Sequence, residues 1–346
     1  MRPYETSWPA ILTTLISGED LSSDDAAWAM ARIMDGEASP AHFGAFVAAL
    51  RAKGESVDEI VGLVQSMRER SQKIEVPFAV VDTCGTGGDR AGTLNVSTMA
   101  ALVAAGAGAK VAKHGNRAAS SRCGSADLLE ALGVKIDLGP QAVAASIKEA
   151  GIGFCFAPIF HPSMRHAAPP RRELGIPTVF NFLGPLTNPA GAKYQALGVS
   201  DPDMAPKMVE VLRRLGSVHA LVFHGSDGLD EISTVSPTHV WELNNGEVNQ
   251  SILDPLDHGI PRATIDDLRG GDAAHNADAT LKLLSGARGP SRDIVLVNAA
   301  AALVAADMEV GFAAALARCA DAIDSGAAQT ALDRMIEISN ASGSEA

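Results

Sequence analysis

The sequence has few cysteines and no long apolar run, and both shortages narrow its class. The four cysteines, Cys84, Cys123, Cys155 and Cys319, have no CxxC spacing, so buried free thiols are expected instead of a zinc site. No apolar run reaches transmembrane length, and the N-terminal apolar stretch is too short for a signal peptide. We therefore expect a cytoplasmic protein without a membrane partner.

Two other features are missing: the common signatures of hydrolases and a broad basic character. The sequence has no GxSxG or HExxH motif, so it gives no sign of a nucleophilic serine or a zinc protease site. Its formal net charge is −13, whereas non-specific nucleic-acid binding requires a broadly basic face. Within residues 90–193, however, eleven Lys and Arg stand against five Asp and Glu. This basic island predicts a site for a small anion, with ordinary solvated charge as the alternative.

The most informative segment present is DTCGTGGDRAGTLNVST, residues 82–98, which connects a strand-like apolar run to a helix of small residues. Gly85, Gly87 and Gly88 can adopt positive φ and let backbone amides approach an anion. Ser97 lies where the helix begins, and the dipole of that helix favours negative charge at its N-terminus. The segment predicts a phosphate-binding loop, and a glycine-rich turn without a ligand is the alternative.

A second segment, KHGNRAASSRCGSAD at residues 113–127, has the same design. It also follows a short apolar run and leads into a helical pattern. Lys113 supplies a point charge, while Asn116 and the serines supply directed hydrogen bonds. Two loops of the phosphate-binding type imply a doubly anionic ligand.

The apolar pattern changes near residue 75. Before it, Ser39 and Ser56 mark helix starts and no strand signal interrupts the helices. After it, short apolar runs alternate with helical windows, and an Asn-Gly pair at Asn245 predicts a hairpin at an antiparallel edge. The expected fold class is α/β, with a small all-helical domain over residues 1–75 and a larger domain with a mostly parallel central sheet flanked by helices over residues 76–346.

Four strings in fixed order make the chain resemble one family. They are GTGGD with TLNVST, KHGNR with GSAD, RHAAPPRRELGIPTVFNFLGPLTNPA, and HGSDGLDE. Together they are similar to the anthranilate phosphoribosyltransferases from the N-terminal helices to the last helix. The resemblance implies a phosphoribosyltransferase-like architecture in which a segment near residues 175–195 returns to the helical domain. It also implies a homodimer, in which Trp8, Ile11, Leu15 and other apolar residues either form the interface or pack within the domain.

The resemblance implies transfer of 5-phosphoribose from phosphoribosyl pyrophosphate (PRPP) to the amine of anthranilate, with release of pyrophosphate. This is the second step of tryptophan biosynthesis from chorismate. No acid or base is identified, and Lys113 with a bound metal would stabilise the transition state electrostatically. The residues implied for PRPP are Gly85, Gly88, Asp89, Thr93, Asn95, Val96, Ser97, Thr98, Lys113, Asn116, Ser121 and Ser125. Those implied for anthranilate are Gly85, Asn116 and Arg171.

The same resemblance suggests a metal site. Asp230 and Glu231 are adjacent carboxylates that suit Mg²⁺, which bridges protein carboxylates to phosphates. Ser97 is implied as a further ligand, with two Mg²⁺ per subunit. An acidic surface turn is the alternative here, and a structural salt bridge is the alternative for Arg171.

Two other functions stay open. The pyrimidine nucleoside phosphorylases share this architecture, but their lysine-containing phosphate loop is not found in place of GTGGDRAGTLNVST. A relative that binds nucleic acid without catalysis would need a broad basic surface, which the acidic total disfavours.

Overall fold

The computed structural model describes residues 6–118, 121–309 and 311–341. Within these residues, four helices precede the first strand: α1 (Trp8–Ile16), α2 (Ser23–Met34), α3 (Pro40–Lys53) and α4 (Val57–Glu69). The side chains of Ser22, Ser39 and Ser56 each accept a backbone N–H of the helix that follows, which satisfies one of its free donors. The helix starts predicted at Ser39 and Ser56 are confirmed.

The four helices share one apolar core. Trp8 stacks on His42 with ring centroids 5.0 Å apart and meets Trp28 edge-on at 5.5 Å. Trp8, Ile11 and Leu15 are all buried in this core. In the single chain, these apolar residues therefore pack within the helical region and do not form an exposed face.

The described residues contain one sheet of seven strands. Their bounds are β1 (Val81–Gly85), β2 (Val111–Gly115), β3 (Ile152–Phe156), β4 (Tyr194–Gly198), β5 (His219–Gly225), β6 (Thr238–Asn244) and β7 (Glu247–Leu253). The order across the sheet is β3-β2-β1-β4-β5-β6-β7, with the first five strands parallel and β6 and β7 antiparallel. The hairpin at Asn245 (φ 48) and Gly246 (φ 90) has the predicted left-handed turn residues.

Helices cover both faces of this sheet. The helices that follow β1 are α5 (Val96–Gly106), α6 (Ser125–Ala131), α7 (Pro140–Ala150), α8 (Ala157–Phe160), α9 (Ala168–Leu174), α10 (Phe180–Leu183), α11 (Ala205–Arg214), α12 (Ala273–Leu284), α13 (Pro290–Ala305), α14 (Phe312–Asp324) and α15 (Ala327–Ala341). Ala196 and Leu221 join the core with α5 and α13, whereas Leu197 and Val222 join the core with α11 and the N-terminal helices. This alternation places one apolar layer on each face of β4 and β5.

The chain returns to the N-terminal helices after α9. Phe180 packs on Phe43 with ring centroids 5.4 Å apart, and Arg68 Nε donates to the carbonyl of Leu186 at 2.8 Å. The division of the chain into two domains at residue 75 stays a prediction.

Two expectations from composition can be compared with the structure. The four cysteines are free and buried, as expected. Across the described ranges, no helix is both long enough and apolar enough to span a membrane.

Candidate functional site

The carboxyl ends of four neighbouring parallel strands meet at one edge of the sheet. The strands β1, β2, β4 and β5 end there in Gly85, Gly115, Gly198 and Gly225. Both predicted phosphate loops and the turn that carries Asp230 follow directly from these ends. In open α/β sheets, ligands bind at this edge, so the topology brings the predicted segments together where a site is expected.

The glycine-rich loop after β1 has two of its three predicted left-handed glycines. Gly87 has φ 66 and Gly88 has φ 88, and Arg90 (φ 59) also adopts the left-handed region. Gly85 does not have positive φ. Glycine is required there because a Cβ would overlap Asp230 Oδ2. The predicted positive φ at Gly85 is therefore wrong. Glycine is needed at this position because the side chain of Asp230 approaches it closely.

The side chain of Asp230 contacts this loop. Its Oδ2 accepts the backbone N–H of Gly87 at 2.6 Å. Gly198 leaves room for the turn, because a Cβ there would overlap the backbone of Asp230. Burial, followed by the neighbouring charge of Asp89, raises the pKa of Asp230 to about 7. The carboxylate is costly to ionise here until a positive charge joins it.

The side chain of Glu231 lies beside the N-terminus of α5. Its Oε1 accepts the backbone N–H of Ser97 at 3.1 Å, where the positive end of the helix dipole favours an anion. Burial and the charge of Asp230 raise the pKa of Glu231 well above its usual range. The Asp230–Glu231 turn is thus held against the glycine-rich loop and the N-terminus of α5 at the same time.

These carboxylates suit a hard divalent cation that is shared with a ligand. Among the described residues, no group of three or more His, Cys, Asp or Glu side chains is arranged to hold a metal. A closed protein cage is therefore not formed. Mg²⁺ fits this donor set, because it keeps several waters and needs only one or two carboxylates when substrate phosphates complete its shell.

Lys113 lies beneath the first loop. Its Nζ donates to the carbonyl of Thr83 at 2.5 Å and approaches Ser97 Oγ at 3.4 Å. Burial lowers the pKa of Lys113, and the charges of Asp82, Glu231 and Asp230 oppose this shift. The predicted point charge is therefore present but buried, next to the first turn of α5.

The side chain of Asn95 joins the two loops. Its Nδ2 donates to the carbonyl of Cys123 at 3.0 Å, and its Oδ1 accepts Asn276 Nδ2 at 2.8 Å. Thr93 forms an isolated antiparallel bridge with Arg269. The side chain of Asn95 is therefore occupied in connecting segments of the site, and its carbonyl accepts the N–H groups of Thr98 and Met99, so the backbone N–H is the group that remains for a ligand.

Val96 and Thr98, which the resemblance also assigns to PRPP, belong to the first turn of α5. Val96 is buried, and the buried hydroxyl of Thr98 has no hydrogen-bond partner within the described residues. Asp89 Oδ1 accepts the N–H of Ala91 at 3.1 Å, which shapes the loop ahead of the helix.

Side chains of the second loop form hydrogen bonds with the backbone of the same loop. The carbonyl of Asn116 accepts the hydroxyl of Ser125 at 3.1 Å, and Ser121 donates to the carbonyl of Cys123 at 3.2 Å. Asp127 accepts the N–H of Gly124 at 2.8 Å. Positions 119 and 120 lie outside the described residues. The loop leads to the N-terminus of α6, as the sequence predicts.

Arg171 on α9 is separate from the two loops. Its guanidinium lies 5.3 Å from the ring centroid of Phe180, and burial lowers its pKa. Within the described ranges it forms no ion pair and no hydrogen bond with either loop. The salt-bridge alternative is therefore not realised there, and the guanidinium is available to an incoming carboxylate.

Two histidines form a neutral pair near this region. The rings of His114 and His161 lie 5.2 Å apart, and His114 Nδ1 contacts the carbonyl of Gly184 at 3.0 Å. Burial lowers the pKa of His114 to about 3 and that of His161 to about 4. Both rings are therefore uncharged at neutral pH.

Comparison with known proteins places the chain in a family. The profile of the "Glycosyl transferase family, helical bundle domain" matches residues 9–71, and that of the "Glycosyl transferase family, a/b domain" matches residues 78–329. The anthranilate phosphoribosyltransferase of Salinispora arenicola is 54% identical over 97% of this chain and 98% of its own length. The chain belongs to the anthranilate phosphoribosyltransferase family.

Solved structures of anthranilate phosphoribosyltransferases have the same fold. The enzyme from Thermus thermophilus is 43% identical, with a TM-score of 0.91 over 95% of this chain and 99% of that one. The Saccharomyces cerevisiae enzyme in complex with PRPP and Mg is 28% identical, with a TM-score of 0.90 over 98% and 99% of the two chains. The yeast enzyme is also solved with 4-fluoroanthranilate, at 26% identity and a TM-score of 0.87 over 96% and 98%. The predicted family and fold class are confirmed.

Two asparagines of the site were not identified from the sequence. Asn276 on α12 bonds Asn95, and Asn298 on α13 bonds the backbone beside Glu231. Asparagine is disfavoured inside helices because its side chain competes for backbone groups. Asn298 stands in the apolar run VLVNAAAALVA, so its polar side chain in such a run was the available signal.

Proposed function

We propose that this protein transfers 5-phosphoribose from PRPP to the amine of anthranilate and releases pyrophosphate, the second step of tryptophan biosynthesis from chorismate. The observation that carries this proposal is the Asp230–Glu231 turn, which closes on a glycine-rich loop at the N-terminus of α5. A phosphoribosyl donor requires this combination of anion-binding amides and cation-binding carboxylates.

The donor occupies the edge formed by β1 and β2. Backbone amides of the glycine-rich loop bind the pyrophosphate group beside the N-terminus of α5, where the helix dipole favours an anion. Lys113 contributes positive charge from beneath. The unpartnered hydroxyl of Thr98 and the backbone at Asn95 are further contacts. The second loop, with Asn116, Ser121 and Ser125, binds the rest of the donor.

Asp230 and Glu231 hold Mg²⁺, with Ser97 as a further ligand. When bound, Mg²⁺ neutralises the charge that develops on the pyrophosphate leaving group. Two Mg²⁺ per subunit are proposed because the charge of Asp89 acts on both Asp230 and Glu231.

Arg171 binds the carboxylate of anthranilate, with Gly85 and Asn116 at the inner end of the acceptor pocket. Within the described residues the Arg171 guanidinium lies against the ring of Phe180 and forms no ion pair, which supports this role. Because the rings of His114 and His161 are neutral, they add no positive charge that would compete with Arg171 for the carboxylate. The amine attacks C1 of the ribose as the uncharged base, so positioning and charge neutralisation carry the reaction without a side-chain nucleophile.

We also propose a homodimer formed through the N-terminal helices, and a cytoplasmic location. Ile16, at the end of α1, is 77% exposed and would lie on that face. Analytical ultracentrifugation of the wild type and of an Ile16→Glu variant tests the dimer. A dimer that the substitution does not weaken would place the interface elsewhere.

The activity is tested by following anthranilate fluorescence when the protein meets anthranilate, PRPP and Mg²⁺. We expect rapid loss of fluorescence that a chelator stops, and no reaction with para-aminobenzoate as a control acceptor. If donor binding is detected but fluorescence persists, the acceptor assignment is wrong.

A further inference from the structure

Asn298 lies in the middle of α13, surrounded by apolar residues. Its side chain is 3% exposed, and the helix around it consists largely of Ala, Val and Leu. A buried amide at such a position is stable only if its donors and acceptor are satisfied. Its partners therefore explain why the helix contains it.

Among the described residues, the hydrogen-bond partners of the Asn298 side chain are three backbone groups, and two of them belong to one residue. Oδ1 accepts the N–H of Ile232 at 2.9 Å, and Nδ2 donates to the carbonyl of Ile232 at 2.9 Å. Nδ2 also donates to the carbonyl of Ile294, one turn earlier in the helix, at 2.8 Å. The paired bonds hold both polar groups of Ile232, which is fully buried.

Ile232 directly follows Glu231, so this pairing anchors the turn that carries both carboxylates. A cavity of about 10 Å³ is lined by Glu231, Asn298, Ser97 and Thr83, among others, so these side chains face one small space. α13 also packs on α5, whose first turn contains Ser97. Asn298 is thus the point at which α13 meets the backbone of the carboxylate turn.

We propose that Asn298 is a positioning residue of the divalent-cation site. Through its bidentate pairing with the Ile232 peptide groups, it sets the position of Asp230 and Glu231 relative to the glycine-rich loop and Ser97. This inference rests on the proposed assignment of those carboxylates to the cation. Side chains that orient metal ligands commonly change metal affinity when they are replaced, although they do not touch the metal.

Asn298→Leu and Asn298→Ala test the proposal in the full-length protein. The first keeps most of the volume, and the second leaves space for water should the first not fold. In both, we expect loss of hydrogen-exchange protection in the peptide that contains Ile232. Binding of Mn²⁺ in the presence of inorganic pyrophosphate, followed by the electron paramagnetic resonance of free Mn²⁺, should weaken about 10- to 100-fold. The KM for Mg²⁺ should rise while the KM for anthranilate stays unchanged.

Thr280→Val is the matched control. Thr280 is a fully buried polar side chain on α12, and its hydroxyl donates to the carbonyl of Asn276 in its own helix at 2.7 Å. It should leave Mn²⁺ affinity unchanged. Wild-type Mn²⁺ affinity in folded Asn298 variants would overturn the positioning role. If Asp230→Asn with Glu231→Gln also binds Mn²⁺ as the wild type does, the carboxylate assignment itself is wrong, and this separates the two failures.

Discussion

Lys113 is the buried cation at the centre of the site, and it faces more negative charge than it can balance. The charges of Asp82, Glu231 and Asp230 all act on it, and Asp89 acts on Asp230. Burial is the main cause of the raised pKa values of Asp230 and Glu231, and this excess of negative charge raises them further. Addition of a divalent cation relieves the repulsion, so the protein without metal is prepared electrostatically to bind one.

The carboxylate pair can be tested by neutral substitution. We expect Asp230→Asn with Glu231→Gln to reduce Mg²⁺-dependent turnover more than about 100-fold, because the charges that bind the cation are removed while shape is kept. The measurement is kcat as a function of Mg²⁺ concentration. Glu19→Gln with Asp20→Asn removes an exposed adjacent carboxylate pair, of which Asp20 is ion-paired with Lys53, and its Mg²⁺-dependent turnover should be that of the wild type. Near-normal turnover of the first variant at limiting Mg²⁺ would exclude its two positions from the site.

Arg171 offers a second test at single-residue scale. Arg171→Ala should raise the KM for anthranilate about 10- to 100-fold, because a charge-assisted hydrogen bond contributes about 1.5–3 kcal/mol. The KM for PRPP should change little. Arg172→Ala, at the exposed neighbouring arginine, serves as the control. Equal increases in both KM values for Arg171→Ala would contradict its role as the carboxylate anchor.

Residue types could be assigned from the sequence, but their hydrogen-bond partners could not. The phosphate loops follow from local glycine and helix-start chemistry, which acts within a few residues. The use of the Asn95 side chain depends on Asn276, which is distant in the chain and is brought near only by tertiary folding. Such long-range pairs leave no local pattern.

The same distinction between local and long-range information appears in the strands. The apolar run before residue 82 predicts that the first strand lies within that run. The observed β1 spans Val81–Gly85 and includes polar residues. Asp82 is tolerated there because it accepts Asn188 Nδ2 at 2.7 Å and the N–H of His114 at 3.1 Å. These partners come from the returning segment and from β2, so hydropathy alone places the strand too early.

The glycines at the strand ends give a test at the scale of elements. Gly198→Ala should destabilise the protein by about 1–3 kcal/mol and reduce activity, because the new Cβ overlaps the backbone of Asp230 and forces the turn away from β4. Urea unfolding and the Mg²⁺ dependence of kcat measure the two effects. Gly44→Ala inside α3 is the control, since its Cβ would make an ordinary contact of 3.8 Å with Leu174. A Gly198→Ala variant as stable and active as the wild type would show that the turn can move freely.

For the whole molecule, the chain is acidic apart from the basic island of residues 90–193. This island is not confined to the binding edge, because Lys110 and Lys193 directly precede β2 and β4 at the opposite edge of the sheet. The net charge of −13 is carried largely outside residues 90–193. The buried uncharged histidines within that island prevent additional positive charge from accumulating in the core. The stability of the molecule should therefore depend on keeping them neutral.

Acid should destabilise the protein through these two histidines. The pKa values of His114 and His161 fall from 6.5 to about 3 and about 4 on folding. As pH decreases below 6.5, the unfolded chain binds protons that the folded protein excludes. The contribution of each neutral histidine is complete above that pH and is lost towards the folded pKa. Each should lower the free energy of unfolding by up to about 1.4 kcal/mol per pH unit in this range.

Urea unfolding at several pH values between 4.5 and 6.5 measures this slope. His114→Gln and His161→Gln should each reduce it, whatever their effect on stability at neutral pH, because each removes one group that titrates only in the unfolded chain. His275→Gln replaces an exposed histidine and should leave the slope unchanged. If all three variants retain the wild-type slope, the two buried rings accept protons in the folded state. In that case, the acid sensitivity would have to arise from other groups.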